Sequence, residues 1–92
     1  MNEEKGIRLP RKGEVFGRVK KTLGGNKLIV DCFDGNERIV RISGKMRKRV
    51  WIREGDLILV RPWEIQSRER GDTVWKYRGV EEDWLRRKGY IK

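Results

Sequence analysis

The chain has 92 residues, 24 basic and 14 acidic, giving a formal charge of +10. That length allows one small domain, burying about 60–65% of its unfolded surface, and that charge favours a polyanionic partner: nucleic acid, acidic protein or anionic membrane. The absence of histidine removes the commonest general acid/base and the commonest transition-metal ligand, and no apolar run approaches the ~20 residues of a membrane span.

Residues 1–13 are polar, basic towards their end and broken by Pro10, which predicts a mobile arm; Lys5, Arg8, Arg11 and Lys12 are its candidate phosphate contacts. The first five residues lack the apolar core of a secretory signal, so the expected location is cytoplasmic. From Glu14 the hydrophobic period becomes two: Val15, Gly17 and Val19 alternate with Phe16, Arg18 and Lys20, the pattern of a strand. Gly17 inside it predicts a bend or bulge. Gly24-Gly25-Asn26 reads as a turn, because these residues tolerate positive φ. Leu28, Val30 and Cys32 share one face of a second strand. Asp34-Gly35 is a hairpin signal, and a third strand over 37–42 places Val40 and Ile42 on one face.

The segment 44–52, Gly-Lys-Met-Arg-Lys-Arg-Val-Trp-Ile, carries the strongest functional signal. Lys45, Arg47, Lys48 and Arg49 precede Trp51, with no acid between Arg41 and Ile52. Cations hold phosphates and a flat aromatic meets a base, so this pairing fits a nucleic-acid surface. A short helical turn or ordered loop is expected in its first half. Trp51 itself has two readings here, barrel packing beside Val50 and Ile52, or contact with a base or sugar. Phe33, beside the hairpin turn, is a second stacking candidate.

Residues 53–56 turn the chain into Leu57-Ile58-Leu59-Val60, its most apolar run, and Pro62 predicts a strand end or sheet edge. Residues 66–72 read as a polar loop and 73–77 as a fifth strand. Trp63 and Trp75 are expected in the core or at its rim. The end switches to helix: Glu81, Glu82 and Asp83 precede Arg86, Arg87 and Lys88, complementing the macrodipole, and Gly89 is the stop signal. Val80, Trp84 and Leu85 form its docking stripe. Five short strands with a turn element after the third predict an all-β, five-stranded Greek-key barrel of the oligonucleotide/oligosaccharide-binding (OB) type, with an SH3-like barrel as competitor. The expected units are the arm 1–13, the barrel 14–78, and the C-terminal helix and tail 79–92.

Catalysis has no residue set. Ser43 and Ser67 have no histidine to activate them, and Cys32 reads as a buried structural thiol in a reducing compartment. No metal and no cofactor are expected, since dipole complementation accounts for the acids at 81–83. Small barrels meet single-stranded or irregular RNA more often than duplex DNA, so RNA is the expected polymer.

Leu23-Gly24-Gly25-Asn26, Cys32-Phe33-Asp34-Gly35, the basic-tryptophan segment 44–52, Val60-Arg61-Pro62-Trp63-Glu64 and the ending 82–90, Glu-Asp-Trp-Leu-Arg-Arg-Lys-Gly-Tyr, occur in this order. Together they resemble translation initiation factor 1A in its short archaeal form, over nearly the whole chain. The resemblance implies a non-enzymatic factor that binds the small ribosomal subunit at the A-site/decoding region. It implies action by rRNA binding and site occupancy, in support of initiation complex assembly and start-codon selection. On this chain it marks Lys45, Arg47, Lys48, Arg49 and Trp51 as the rRNA-contacting loop, and less securely Asn26, Lys27 and Arg38. Other initiation factors, including the subunit-joining GTPase, are implied partners of a monomer. Eukaryotic members carry a long acidic C-terminal tail for that GTPase; this sequence stops at Lys92 with a basic end, so tail-dependent binding is not carried over. Two competing expectations are a generic single-stranded RNA chaperone of cold-shock type and a basic adaptor for acidic proteins or membranes.

Overall fold

The computed structural model describes residues 6–92, apart from the side chains of Arg47 and Arg49. Strands Val15–Leu23 (β1), Lys27–Cys32 (β2), Glu37–Arg41 (β3), Leu57–Pro62 (β4) and Arg70–Lys76 (β5) close into a barrel in the order β1-β2-β3-β5-β4. Helix α1, Gly44–Arg49, links β3 to β4, and helix α2, Gly79–Arg87, follows β5. Every pairing is antiparallel except β3 with β5, which leaves the OB-type Greek key expected from strand count.

Two apolar layers explain why so few hydrophobic residues suffice. Val19, Leu28, Val30, Cys32, Val40, Ile58 and Val60 fill the barrel interior. Phe16, Leu57, Leu59, Tyr77, Trp84, Leu85 and Ile91 form a second layer that includes the α2 side chains. Successive strand side chains point to opposite faces, so β4 sends Ile58 and Val60 inward and Leu57 and Leu59 to the second layer. Its unbroken apolar run is therefore a strand buried on both sides.

Several expectations change. The irregularity in β1 falls between Val19 and Lys21 instead of at Gly17. Gly17 serves packing: a Cβ there would lie 2.5 Å from Val30 Cγ1, so the missing side chain lets the β2 valine cross the barrel. β5 starts at Arg70, inside the expected loop, because Arg70, Gly71 and Asp72 pair in parallel with β3 residues 39–41. Pro62 does end β4. On α2, Trp84 and Leu85 dock as expected, but Val80 is 66% exposed and Ile91 takes the third buried position. Lys88, past the last α2 residue, donates N–H to Trp84 O at 3.0 Å, and Gly89 follows at φ 86, where glycine is favoured.

The expected mobile arm also differs in its described part; residues 1–5 lie outside the described residues. Ile7 and Leu9 pack against the second layer. Arg8 forks onto Glu14 with N–O distances of 2.7 and 3.1 Å, and Arg11 N donates to the same carboxylate at 2.9 Å. The Tyr77 hydroxyl donates to Arg8 O, joining the segment to the end of β5. Apolar burial and a buried acid hold residues 7–14 on the barrel, features that a charge-based reading of the segment does not register.

Candidate nucleic-acid interface

The basic segment folds as α1 because its start is capped: Ser43 is extended, and its Oγ accepts from Met46 N at 3.2 Å. At the other end Val50 N donates to Met46 O, and the backbone turns extended at Val50. Six residues are too few for a helix stable alone, so its attachments matter. Ile42 N donates to Asn26 O at 2.8 Å, fastening the approach to α1 onto the β1–β2 turn. Asn26 is at φ 69, a conformation that asparagine accepts more readily than most residues.

Lys45 and Lys48 are exposed, and the first turn of α1 has no acid. Arg47 and Arg49 belong to α1 by backbone, while their side chains lie outside the description. Trp51 is 74% exposed, which decides between its two readings: it does not belong to the core. It stands between two clefts. The larger, about 550 Å³, is walled by Trp51, Trp75, Val74, Met46, Lys45 and Lys76. The smaller, about 250 Å³, lies between Trp51, the β1–β2 turn at Asn26 and Lys27, and Ile42. Asn26 Oδ1 is buried and has no hydrogen-bond partner among the described residues. The sequence candidates Lys45, Trp51, Asn26 and Lys27 are thus assembled on one side of the barrel, with Lys48 displayed on α1.

Phe33 and Arg38 are not with them. The β2–β3 register pairs Lys27 with Arg41 at the α1 end and Asp31 with Glu37 at the other, about 15 Å apart along the strands. Phe33 lies beyond that far end, 48% exposed, its ring centroid 6.1 Å from Phe16. Arg38 is 3% exposed, which withdraws it from any surface role. Its Nη atoms fork onto Asp34 at 3.0 and 2.9 Å and its Nε donates to Ser67 O at 2.6 Å. The Arg38 guanidinium holds the Asp34 carboxyl below the usual carboxylate range. This arginine ties the β2–β3 turn to the β4–β5 connection. Burial pushes the Cys32 thiol up, in keeping with a structural and unreactive cysteine.

Trp75 and Lys76 were not among the sequence candidates for this surface. Trp75 is 37% exposed on the cleft wall. The alternation of β5, in which Thr73 is buried and Trp75 is not, carries a faint signal of an outward indole. What β5 faces across the gap depends on where α1 returns, a through-space fact. No group of three or more acids or cysteines among the described residues is arranged to hold a metal ion, and no described helix is long and apolar enough to cross a membrane.

Comparison with known proteins gives one consistent picture. The family described as "Translation initiation factor 1A / IF-1" matches residues 4–92. A protein of Methanopyrus kandleri named translation initiation factor 1A is 60% identical over 87 residues, covering 95% of this chain and 78% of that protein. Its namesake in Methanothermobacter thermautotrophicus is 54% identical over 90 residues, covering 98% and 91%. Among solved structures, the chain is similar to the bacterial-type translation initiation factor 1 from the Wolbachia endosymbiont of Brugia malayi. There the TM-score is 0.54 at 24% identity, over 89% of this chain and 94% of that one.

Proposed function

The chain belongs to the translation initiation factor 1A/IF-1 family, a family of non-enzymatic RNA-binding factors, and from that premise we propose that it binds small-subunit rRNA at the A-site/decoding region and acts by occupying it. Its contribution is to support assembly of the initiation complex and selection of the start codon. The observation that carries this reading is Trp51: an indole 74% exposed, held between two clefts and next to the cations of α1. An exposed indole costs solvation unless it has a partner, and unpaired bases supply flat faces of matching size.

Binding then proceeds by electrostatic capture at Lys45, Arg47, Lys48 and Arg49, followed by insertion of Trp51 among irregular rRNA bases. Lys27 and the Asn26 amide line the smaller cleft and complete the contact. The factor enters as a monomer in the cytoplasm. Other initiation factors, the subunit-joining GTPase among them, engage surfaces away from this one.

The test is chemical footprinting of small-subunit rRNA with the wild type and with Lys45→Ala/Lys48→Ala. Protection confined to the decoding region, and lost in the double variant, supports the proposal. Diffuse protection unaffected by the variant refutes it, and equal affinity for random single strands and intact subunits favours a cold-shock-type chaperone instead. That second reading is disfavoured by β2 and β3, Lys-Leu-Ile-Val-Asp-Cys and Glu-Arg-Ile-Val-Arg, which have no aromatic side chain to form a stacking platform. A membrane adaptor would float with anionic liposomes at physiological salt.

A further inference from the structure

Lys76 faces the larger cleft from β5, and in a basic groove it would ordinarily be counted among the phosphate contacts. Its hydrogen bonding says otherwise. Its Nζ donates to the carbonyl oxygen of Trp51 at 2.6 Å, and the same ammonium lies 3.4 Å from Asp56 Oδ2. Lys76 and Asp56 side chains are each 25% exposed, so this contact is sheltered rather than peripheral. Asp56 Oδ2 also accepts from Arg53 N at 2.8 Å, closing the turn that follows Trp51. That turn is fixed to the barrel in its own right: Gly55 N donates to Val19 O and Val19 N donates to Asp56 O, at 2.8 and 2.9 Å.

We infer that Lys76 is a positioning residue for Trp51, bracing the backbone that presents the indole, and is not itself a phosphate ligand. The inference rests on the reading of Trp51 as a base contact. Its physical content is entropic. Segment 50–53 has no secondary structure, and Trp51 has few neighbours to restrain it. An unbraced indole would have to be ordered at the moment of binding, at a cost in affinity. The Lys76–Trp51 bond spans 25 residues and orders that backbone in advance. Meanwhile Asp56 opposes the ammonium charge, leaving little of it for an incoming phosphate.

The experiment measures binding of purified small ribosomal subunits across a salt series. The variants are Lys76→Met, which keeps the stem and removes donor and charge, Lys76→Arg, Lys48→Ala, Trp51→Ala and Lys76→Met/Trp51→Ala. Lys76→Met is expected to weaken binding about three- to tenfold with an unchanged salt slope. Lys76→Arg, which keeps a donor and the charge, restores most of the affinity. In the Trp51→Ala background Lys76→Met has no further effect, as expected when one residue acts only through the other. Lys48→Ala, by contrast, lowers the slope by roughly 0.7–0.9, one phosphate's worth. In the free protein, NMR order parameters at residues 51–52 should fall in Lys76→Met.

A slope lowered by about one phosphate in Lys76→Met would make Lys76 a direct contact and overturn the inference; so would an undiminished loss in the Trp51→Ala background. If Trp51→Ala and Lys48→Ala leave binding unchanged, the reading of the surface fails. The order parameters still report the brace, so the two failures are distinguishable. If Lys76→Met does not fold, Asp56→Asn tests the brace from its other end: it keeps an acceptor for Arg53 N, removes the charge that orients Lys76, and should give the same unchanged slope.

Discussion

Glu14 is the most consequential single carboxylate in the molecule, and replacing it with glutamine isolates its charge while keeping its shape. Its side chain is 2% exposed, yet it accepts from Arg8 twice, from Arg11 N, and from Arg61 Nη2 at 3.1 Å. The Arg8 fork above all, then the Arg11 amide and Arg61, outweighs the effect of burial and holds the carboxyl at about 2, against an ordinary 4.5. A depression of that size corresponds to about 3 kcal/mol of folding free energy. Because the folded-state value lies below the unfolded one, this stability is present in full above pH 4.5. It is lost as the pH falls through that value towards 2. In Glu14→Gln, Arg8 keeps a polar neighbour but loses its counter-charge, so the expected cost at pH 7 is about 2–3 kcal/mol, or a fall in Tm of roughly 10–20 °C. The assay is urea denaturation of wild type and variant at several pH values, read as the difference between them so that other acids cancel. The gap should be widest at pH 5–8 and close near pH 2. A gap within ~0.5 kcal/mol at pH 7, or one independent of pH, would refute the argument. Hydrogen exchange gives a local check: the Arg11 amide, which donates to Glu14, should lose protection in the variant.

Other outcomes follow from single contacts. Trp51→Ala should cost about 1–3 kcal/mol of binding to small subunits with an unchanged Tm, since the indole is largely in solvent; a large fall in Tm would place it in the core after all. Arg38→Ala strips the buried partner from Asp34 and Ser67 O and should destabilise by about 3–5 kcal/mol, whereas normal stability with lost RNA binding would return it to the surface. Gly17→Ala forces a Cβ against Val30 at 2.5 Å and should cost about 1–3 kcal/mol, relieved in Gly17→Ala/Val30→Ala; chemical denaturation reads both. Removing Lys45 and Lys48 together should lower the salt slope of subunit binding by roughly 1.4–1.8, and no change in slope would remove them from the contact.

Charge clustering and hydrophobic period are properties of neighbouring residues, so both were legible along the chain. The alternation of Leu28, Val30 and Cys32 gave the inner face of β2, the unbroken cation run with Trp51 gave the functional segment, and the acid-to-base order over 81–88 gave α2. Composition alone also placed the molecule among polyanion binders. Through-space pairing was not legible. Arg38 and Lys45 look equivalent in sequence, yet Arg38 is spent on Asp34 and on Ser67, 29 residues away, while Lys45 faces a cleft. Arg8 reads as a free arm cation until Glu14 is seen buried beneath it. Trp51 was undecided because nothing local shows whether the chain returns above or below the barrel surface. Lys76 acquires its role only when the return from α1 places the Trp51 carbonyl opposite β5. The order of residues settled what kind of surface this protein carries. Barrel closure decided which of its charges are consumed in holding the fold and which are left to meet a phosphate, because a charge's partner is set by distance in space and not by position along the chain.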